Sequence, residues 1–221
     1  MPAGENPVIP PAPGPDQPKT AFRAWARGRL RTPEADPSTP AGAAASQAAC
    51  EAAWPLLGLR PAGILLLYVP IRGELNPIFL ASAAIQAGWS IALPRCDSRT
   101  GTPLLYAMPA SALLPGLPAP TWDPAALEPD AWDVPAPKAR TPVLASAISA
   151  VVVPGLAFDP TGGRLGRGAG IYDRLLAALP PTAYRIGLIT DDRVVTALPH
   201  EPHDVKMHAI VTPQSGVILR H

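Results

Sequence analysis

The chain has 221 residues, a net charge of +1 and 48% hydrophobic residues. Such a length suits one well-filled domain, and the balanced charge argues against nucleic acid and an anionic membrane as partners. No apolar run approaches the roughly 18–20 residues that a bilayer span requires, and residues 1–18 lack the apolar centre of a secretory signal.

The 32 prolines are concentrated in two stretches. Residues 1–18 are predicted to be a disordered tail, and residues 97–142 a long, stiff surface excursion. Because proline lacks a backbone N–H donor, neither stretch is expected to hold a regular β-ladder. Residues 19–221 would then form a single α/β domain that carries the excursion.

The remaining elements alternate along the chain. Helices are predicted at 19–31, 41–57, 77–88 and 171–179, and strands at 63–70, 89–93, 150–153, 184–189 and 209–212. The first helix is basic, with Phe22, Trp25, Ala26 and Leu30 on one face, whereas Asn76 and Pro77 start the third. This alternation predicts a three-layer α/β/α sandwich with a mostly parallel central sheet. Cys50 and Cys96 form no CxxC pattern, which favours buried free thiols and a cytoplasmic location.

Residues 151–176 read VVVPGLAFDPTGGRLGRGAGIYDRLL and place a glycine-rich turn between an apolar strand and a helix. Arg164 and Arg167 can bridge phosphate oxygens, and the free amides of the helix start point the same way. Asp173 lies in the first helical turn, where a carboxylate could hold Mg²⁺. The turn is neither a Walker A motif nor a dinucleotide fingerprint. It predicts a phosphate site, with a ligand-free glycine loop as the simpler alternative.

The turn resembles the PGxxFDxxGxRLGxGxGYYD signature of the 5-formyltetrahydrofolate cyclo-ligase (5,10-methenyltetrahydrofolate synthetase) family. Four other elements resemble that family in the same order along the chain. They are the KxxxR pattern of Lys19 and Arg23, residues 70–74 ending in Glu74, the WxxPxP pattern that begins at Trp132, and residues 198–204 ending in Asp204. The resemblance covers residues 19 to about 212.

The resemblance implies an enzyme that uses ATP and Mg²⁺ to convert 5-formyltetrahydrofolate into 5,10-methenyltetrahydrofolate, releasing ADP and phosphate. The family reaction passes through a phosphorylated formyl group. ATP and a reduced folate would be the partners of this chain, without nucleic acid or membrane, in a monomer or weak dimer.

The resemblance also implies a role for each matching residue. ATP would contact Lys19, Arg23, Arg164, Gly166, Arg167, Gly168, Ala169, Gly170, Ile171 and Tyr172; the folate would contact Val69, Glu74, Trp132 and Tyr172; Glu74, Arg167 and Tyr172 would be catalytic; and Asp173 and Asp204 would bind the metal. Plainer alternatives remain open for four of these elements. The basic helix could simply be solvated, Glu74 could cap the following helix, Trp132 could be packing, and Asp204 could be a turn residue.

The chain departs from the family pattern at Ala169, Ile171 and His208. A paralogue with the same ATP site and another acceptor is therefore a second hypothesis, and a non-catalytic nucleotide-binding module is a third. A zinc site of His200, His203, His208 and Asp204 is disfavoured, because Pro202 interrupts helical presentation. Loop histidines beside the nucleotide site are the preferred interpretation.

Overall fold

The computed structural model describes residues 11–97, 101, 103–116 and 119–220. Most of the predicted tail, residues 1–10, lies outside this range, and residues 11–18 form coil with one turn. Positions 98–100, 102 and 117–118 of the excursion lie outside it too. No helix in the described ranges is long and apolar enough to cross a bilayer.

The four α-helices of the described residues lie within three residues of the predicted positions. They are α1 (Lys19–Arg29), α2 (Pro40–Gly58), α3 (Ile78–Gln86) and α4 (Ile171–Ala178). Phe22 and Ala26 of α1 are buried, as the sequence pattern predicted. The start of α3 lies one residue later than expected, because Pro77 occupies the N-cap position predicted for Asn76, although the Asn76 side chain still accepts a hydrogen bond from the Ile78 amide at 3.1 Å. Asn76, and not Glu74, therefore supplies the side-chain hydrogen bond at this helix start.

Short 3₁₀ turns and fourteen strands complete the described elements. The 3₁₀ turns are Pro33–Ala35, Ala110–Ala112, Pro124–Ala126, Ala145–Ala147 and Asp191–Arg193. The strands are β1 (Ile64–Leu66), β2 (Ser90–Arg95), β3 (Leu104–Met108), β4 (Leu113–Leu114), β5 (Thr121–Trp122), β6 (Leu127–Pro129), β7 (Pro135–Pro137), β8 (Pro142–Val143), β9 (Ile148–Val153), β10 (Ala157–Phe158), β11 (Arg164–Leu165), β12 (Tyr184–Leu188), β13 (Ala209–Thr212) and β14 (Gly216–Arg220).

The central sheet has eight strands in the order β14-β13-β12-β9-β1-β2-β3-β8. Its inner strands, from β13 to β2, pair in parallel, whereas β14 at one edge and β3 and β8 at the other pair antiparallel. The predicted sheet is therefore confirmed, and all its parallel strands end at one edge. In such sheets this carboxyl edge is where ligands bind.

Helices cover the sheet on both faces. Along β9 the side chain of Val152 packs with the core that includes α2 and α3, whereas Val151 and Val153 pack with Leu175 and Leu176 of α4. This alternation follows from the two-residue period of a strand, and β9 is apolar from Ala150 to Val153 because both its faces are buried there. The predicted three-layer α/β/α arrangement is confirmed.

The expectation that residues 97–142 hold no regular β-ladder is wrong. Strand β3 pairs along its whole length with β2, and its residues Leu105 and Tyr106 also pair with β8. Two small hairpins, β4–β5 and β6–β7, follow it in the chain. Proline is compatible with these strands for two reasons. Pro103 and Pro109 flank β3, and the other prolines belong to edge strands, namely β8 of the central sheet and both strands of the two-stranded β6–β7 hairpin. The excursion thus extends the sheet beyond β2.

The apolar run at 63–70 is a regular strand only as far as Leu66. The Leu67 amide still donates to the Ala92 carbonyl at 3.0 Å, and the chain then leaves the sheet. The loop that follows carries Val69 and Glu74 away from the carboxyl end of β1. The residues predicted as one long strand therefore divide into a short strand, β1, and a loop that forms part of one wall of the site.

Candidate active site

A cavity of about 400 Å³ opens where the loops after β1, β2 and β9 meet. One wall is the glycine-rich turn between β9 and α4, residues 154–170, which is named the phosphate turn after its predicted ligand. The loop after β1 together with the β6–β7 hairpin forms the opposite wall. The predicted site residues on the lining are Val69, Glu74, Trp132, Arg164, Gly166, Arg167, Gly168, Ala169, Gly170, Ile171, Tyr172 and Asp173. Most of the predicted site therefore comes together around one cavity.

Arg164 is fixed inside the phosphate turn. Its side chain is only 5% exposed, and its guanidinium donates to the Asp173 carboxylate and, at 3.4 Å, to the Pro154 carbonyl. The guanidinium carbon lies 5.6 Å from the ring centre of Tyr172. Arg164 thus joins both ends of the turn while it carries a buried positive charge.

The turn enters α4 through Gly170, whose φ of 67° lies in the left-handed region that favours glycine. No side chain caps this helix start, so its first amides remain available to an anion. Arg174 holds the turn from outside, donating to the carbonyls of Ala169 at 3.1 Å and Gly101 at 2.8 Å. The backbone around Ala169 is thereby positioned without help from the Ala169 side chain.

Glu74 and Arg167 approach each other from opposite walls. Their side chains are 3.4 Å apart, and Glu74 also accepts a 3.3 Å hydrogen bond from the Ile71 amide. The Glu74 side chain is only 11% exposed. Burial raises its pKa, and Arg167 opposes this increase without cancelling it. The pair therefore combines a partly desolvated acid with an arginine that can still reach a ligand.

Tyr172 presents a neutral phenol to the cavity. Burial raises its pKa well above the usual value, and the neighbouring Glu74 adds to the effect while Arg164 opposes it. Cys96 on the same lining is half-buried, whereas Cys50 is fully buried, so the prediction of buried thiols holds only for Cys50. Burial raises the pKa of Cys96 to about 11, which keeps its thiol protonated at neutral pH.

The basic residues of α1 contact the outer side of the turn and the loop that carries Asp204. Arg23 donates to the Gly166 carbonyl at 3.2 Å, and Lys19 bonds Asp204 at 2.9 Å and Glu201 at 3.0 Å. Burial favours a neutral Lys19, but the two carboxylates together raise its pKa. Burial likewise opposes ionisation of Asp204, but hydrogen bonds led by that from Lys19 hold its pKa below the usual value. The helix is therefore engaged with the site and is not simply solvated.

The histidines do not form one cluster. His200 lies 3.1 Å from the Asp159 carboxylate, and His203 lies 3.3 Å from Glu201. His208 stacks on Tyr184 with ring centres 5.1 Å apart. Because Tyr184 begins β12, His208 lies at the amino edge of the sheet, and its predicted place beside the nucleotide site is wrong. A smaller group, Glu201, His203 and Asp204, has potential ligand atoms within 4.8 Å of one another.

Two buried charged residues were missed at the sequence level. Asp159 accepts hydrogen bonds from Thr161, Gly163 and Leu198, lies 3.1 Å from His200, and is fully buried. Arg193 is 1% exposed, and its buried Nη1 has no hydrogen-bond acceptor among the described residues. The signal for Asp159 was its FDPTG turn sequence, which is typical of an Asp-capped turn. The signal for Arg193 was its place just after an apolar strand.

With this geometry the chain can be compared with known proteins. The sequence profile of the 5-formyltetrahydrofolate cyclo-ligase family matches residues 18–213. The chain belongs to this family. A 5-formyltetrahydrofolate cyclo-ligase of Mycolicibacterium smegmatis is 33% identical over 175 residues, which cover 74% of this chain and 80% of that protein. A probable cyclo-ligase of Caenorhabditis elegans is 24% identical and covers 70% and 75% of the two chains.

Solved structures of methenyltetrahydrofolate synthetases share the cyclo-ligase fold with this chain. The Aquifex aeolicus protein superposes with a TM-score of 0.65 at 23% identity, covering 91% of this chain and 92% of its own. The Mycoplasma pneumoniae protein gives a TM-score of 0.64 at 18% identity, with 89% and 99% covered. At these identities the structural likeness supports the fold, whereas the sequence comparisons establish the family.

Proposed function

We propose that the protein catalyses the ATP-dependent closure of 5-formyltetrahydrofolate to 5,10-methenyltetrahydrofolate, with release of ADP and phosphate. The observation that carries this proposal is the Glu74–Arg167 contact, because it joins an acid on one wall to the phosphate turn on the other. A site that only bound a nucleotide would have no use for a buried acid facing its phosphates.

The phosphate side of the cavity would hold the triphosphate. Arg167 and the amides from Gly168 to Ile171 offer donors along one wall, and Arg164 adds a fixed positive charge behind them. Lys19 and Arg23 would complete the outer end, where they contact Asp204 and Gly166. Ala169 adds no charge, so the arginines and the backbone would carry this role.

The acceptor side would hold the reduced folate. The Glu74 carboxylate would accept hydrogen bonds from ring N–H groups near the formyl-bearing nitrogen, and Tyr172 would donate from its neutral phenol. Val69 and Trp132 offer apolar surface to flat rings. In this arrangement Arg167 lies between the two substrates, where charge shifts during the transfer.

The reaction would proceed in two steps. The formyl oxygen forms a bond to the γ-phosphorus of ATP while the bond from that phosphorus to the bridging oxygen breaks, and ADP leaves. The folate N10 next attacks the formyl carbon, the carbon–oxygen bond breaks with departure of phosphate, and N10 loses its proton. Catalysis of this kind depends on positioning and charge neutralisation more than on a protein nucleophile.

Mg²⁺ would neutralise phosphate charge when it is bound with ATP, and Asp173 and Asp204 would hold it. Both are carboxylates, the donor type that Mg²⁺ prefers, and their contacts with Arg164 and Lys19 each use one oxygen. The lowered pKa of Asp204 keeps that group ionised at neutral pH. This donor chemistry supports the proposed Mg²⁺ site.

The proposal is tested by mixing the protein with Mg-ATP and 5-formyltetrahydrofolate and following the methenyl chromophore. An ATP-dependent rise is expected, with one ADP released per methenyl product. ATP binding in calorimetry without such a rise would favour a paralogue acting on another acceptor. The absence of any ATP binding would reject the whole proposal.

A further inference from the structure

The β6–β7 hairpin carries Trp132 in its turn and is fastened to the end of β2. At its base, Arg95 donates to the carbonyls of Pro129 at 3.2 Å and Pro137 at 3.4 Å. The same guanidinium lies 3.1 Å from the Glu128 carboxylate. The hairpin is therefore held against the sheet by an arginine of the sheet itself.

A single carboxylate fixes the tip of this hairpin. One oxygen of Asp130 accepts hydrogen bonds from the amides of Trp132 at 2.8 Å and Val134 at 3.1 Å. The other oxygen accepts from the Cys96 amide at 3.0 Å, just beyond β2. Asp130 thus shapes the turn and also attaches it to the sheet, and it is itself part of the cavity lining.

The turn has a left-handed backbone conformation at the residue after Trp132. Asp133 has φ of 57°, and it is the one non-glycine residue with positive φ in the described part of the chain. Such conformations persist only where the surroundings impose them, and they often occur at ligand sites. Trp132, the residue before it, is 55% exposed although it borders an apolar cavity. Packing within the protein therefore does not explain the position of its indole.

We propose that Asp130 is a positioning residue for the acceptor, holding the Trp132 indole over the cavity as a stacking wall for a flat ring of the reduced folate. This inference rests on the proposed function, because it takes the acceptor to be a folate. It also gives the proline-rich excursion a role, since the excursion supplies the wall opposite the phosphate turn. Asp130 acts through Trp132 and touches no reacting atom.

The first test compares Asp130→Ala with Asp123→Ala. Asp123 is a matched control, because its carboxylate accepts a 2.8 Å hydrogen bond from the Ala125 amide in the same excursion but lies off the cavity lining. Loss of the three contacts in Asp130→Ala should weaken 5-formyltetrahydrofolate binding in calorimetry by about tenfold, and leave Mg-ATP binding within about twofold. Asp123→Ala should change neither affinity.

A double-mutant cycle separates positioning from general loosening of the fold. In a Trp132→Ala background, Asp130→Ala should produce no further loss of folate affinity, because the residue through which it acts is gone. Asp130→Asn should give an intermediate loss, since an amide oxygen can still accept from the turn but the amide nitrogen cannot accept from Cys96. Circular dichroism spectra matching that of the unmodified protein would show that the variants fold.

Three results would overturn the inference: equal effects of Asp130→Ala and Asp123→Ala, equal weakening of both substrates, or additive losses in the cycle. Because affinity is measured directly, a protein that binds 5-formyltetrahydrofolate without closing its ring would reject the proposed function and still test Asp130. A protein that binds no reduced folate would reject both.

Discussion

Glu74 and Arg167 are the residues at which the two proposed substrates meet. Burial raises the pKa of Glu74, and the nearby guanidinium limits that rise, so the ionised carboxylate depends on its partner. Arg167 also donates to the Arg72 carbonyl at 3.2 Å, which keeps it facing the loop after β1. Changing either residue should therefore weaken binding of one substrate through a lost contact, and binding of the other substrate through the altered charge of the pair.

Arg167→Ala should raise the KM for Mg-ATP by about 10- to 100-fold, because a charge-assisted contact to phosphate is lost, and raise that for the folate less. Glu74→Ala should reverse this order. Removal of Arg167 also raises the pKa of Glu74 further, so the acidic limb of the kcat/KM profile should move to higher pH. Steady-state kinetics from pH 5 to 9 would measure both effects.

The control for Arg167 is Arg27→Ala, an exposed arginine of α1 that removes the same charge outside the cavity lining. An equal rise of the KM for Mg-ATP in both variants would mean that net charge, and not the position of Arg167, governs binding. An unshifted acidic limb in Arg167→Ala would contradict the electrostatic role assigned to the pair.

Sequence patterns predicted individual residues well where one local motif holds them. Arg164, Arg167, Tyr172 and Asp173 all belong to the continuous turn, and all line one cavity. Patterns did not show that Lys19 bonds Asp204, because that contact joins positions 185 residues apart. They also missed Arg193, since burial of a charged side chain depends on tertiary packing.

At the scale of elements, Asp159 ties the phosphate turn to the loop that carries Asp204. Its carboxylate accepts a 2.9 Å hydrogen bond from the Leu198 amide of that loop and a 3.0 Å hydrogen bond from the Gly163 amide of the turn. The His200 ring packs so closely on Gly163 that an added Cβ would lie 2.2 Å from a ring carbon. Glycine is therefore required at position 163, where the phosphate turn contacts the loop that carries Asp204. Asp159, which is bonded to both segments, sets the distance between them.

Asp159→Asn should lower the free energy of unfolding by about 2–4 kcal/mol at pH 7, because an amide nitrogen would face the Leu198 N–H donor. Burial opposes ionisation of Asp159, but its hydrogen bonds together hold the pKa below the usual value. The stabilisation is therefore present above the unfolded pKa of about 3.9 and is lost as the pH falls through the folded value. Thermal melts should show the difference shrinking below about pH 4.

Asp191→Asn is the matched control for this prediction. Asp191 also uses its carboxylate to bind several groups, accepting from the Thr212 hydroxyl at 2.7 Å and the Gln214 amide at 3.0 Å. Both variants should lose stability, but only Asp159→Asn should raise the KM for Mg-ATP. Equal KM values in the two variants would mean that Asp159 has no part in setting the phosphate site.

Elements were predictable where periodicity and burial agree. Strand β9 lies between two helical layers, so its apolar run identified it, and α2 showed the composition of a packed helix. Strand β3 was missed because prolines flank it, and the rule against proline in ladders does not tell flanking from interior positions. Strand β14 was also missed; it is an antiparallel edge strand that follows β13.

For the molecule as a whole, the site is built on loops from the carboxyl edge of one continuous sheet. A ligand at that edge contacts segments anchored in β1, β2 and β9, so its binding should stabilise the domain and not one part of it. Mg-ATP at about 100 times its Kd should add about 2.7 kcal/mol to the free energy of unfolding. Thermal melts should show one transition that moves to higher temperature.

Each substrate should raise the melting temperature alone, and the two together should raise it further. The shift with Mg-ATP should be reduced in Arg167→Ala, whereas the shift with 5-formyltetrahydrofolate should be reduced in Glu74→Ala. A melt that splits into two transitions with ligand would contradict a single cooperative domain.

The contact of Lys19 with Asp204 also bears on the order of events during synthesis. The lysine leaves the ribosome among the first residues of α1, but its carboxylate partners, Glu201 and Asp204, emerge 182 and 185 residues later. Until Asp204 has been synthesised, Lys19 lacks this partner in the folded domain. The outer end of the site, where α1 meets the loop of Asp204, can therefore form only after residues 19 to 204 have all been synthesised.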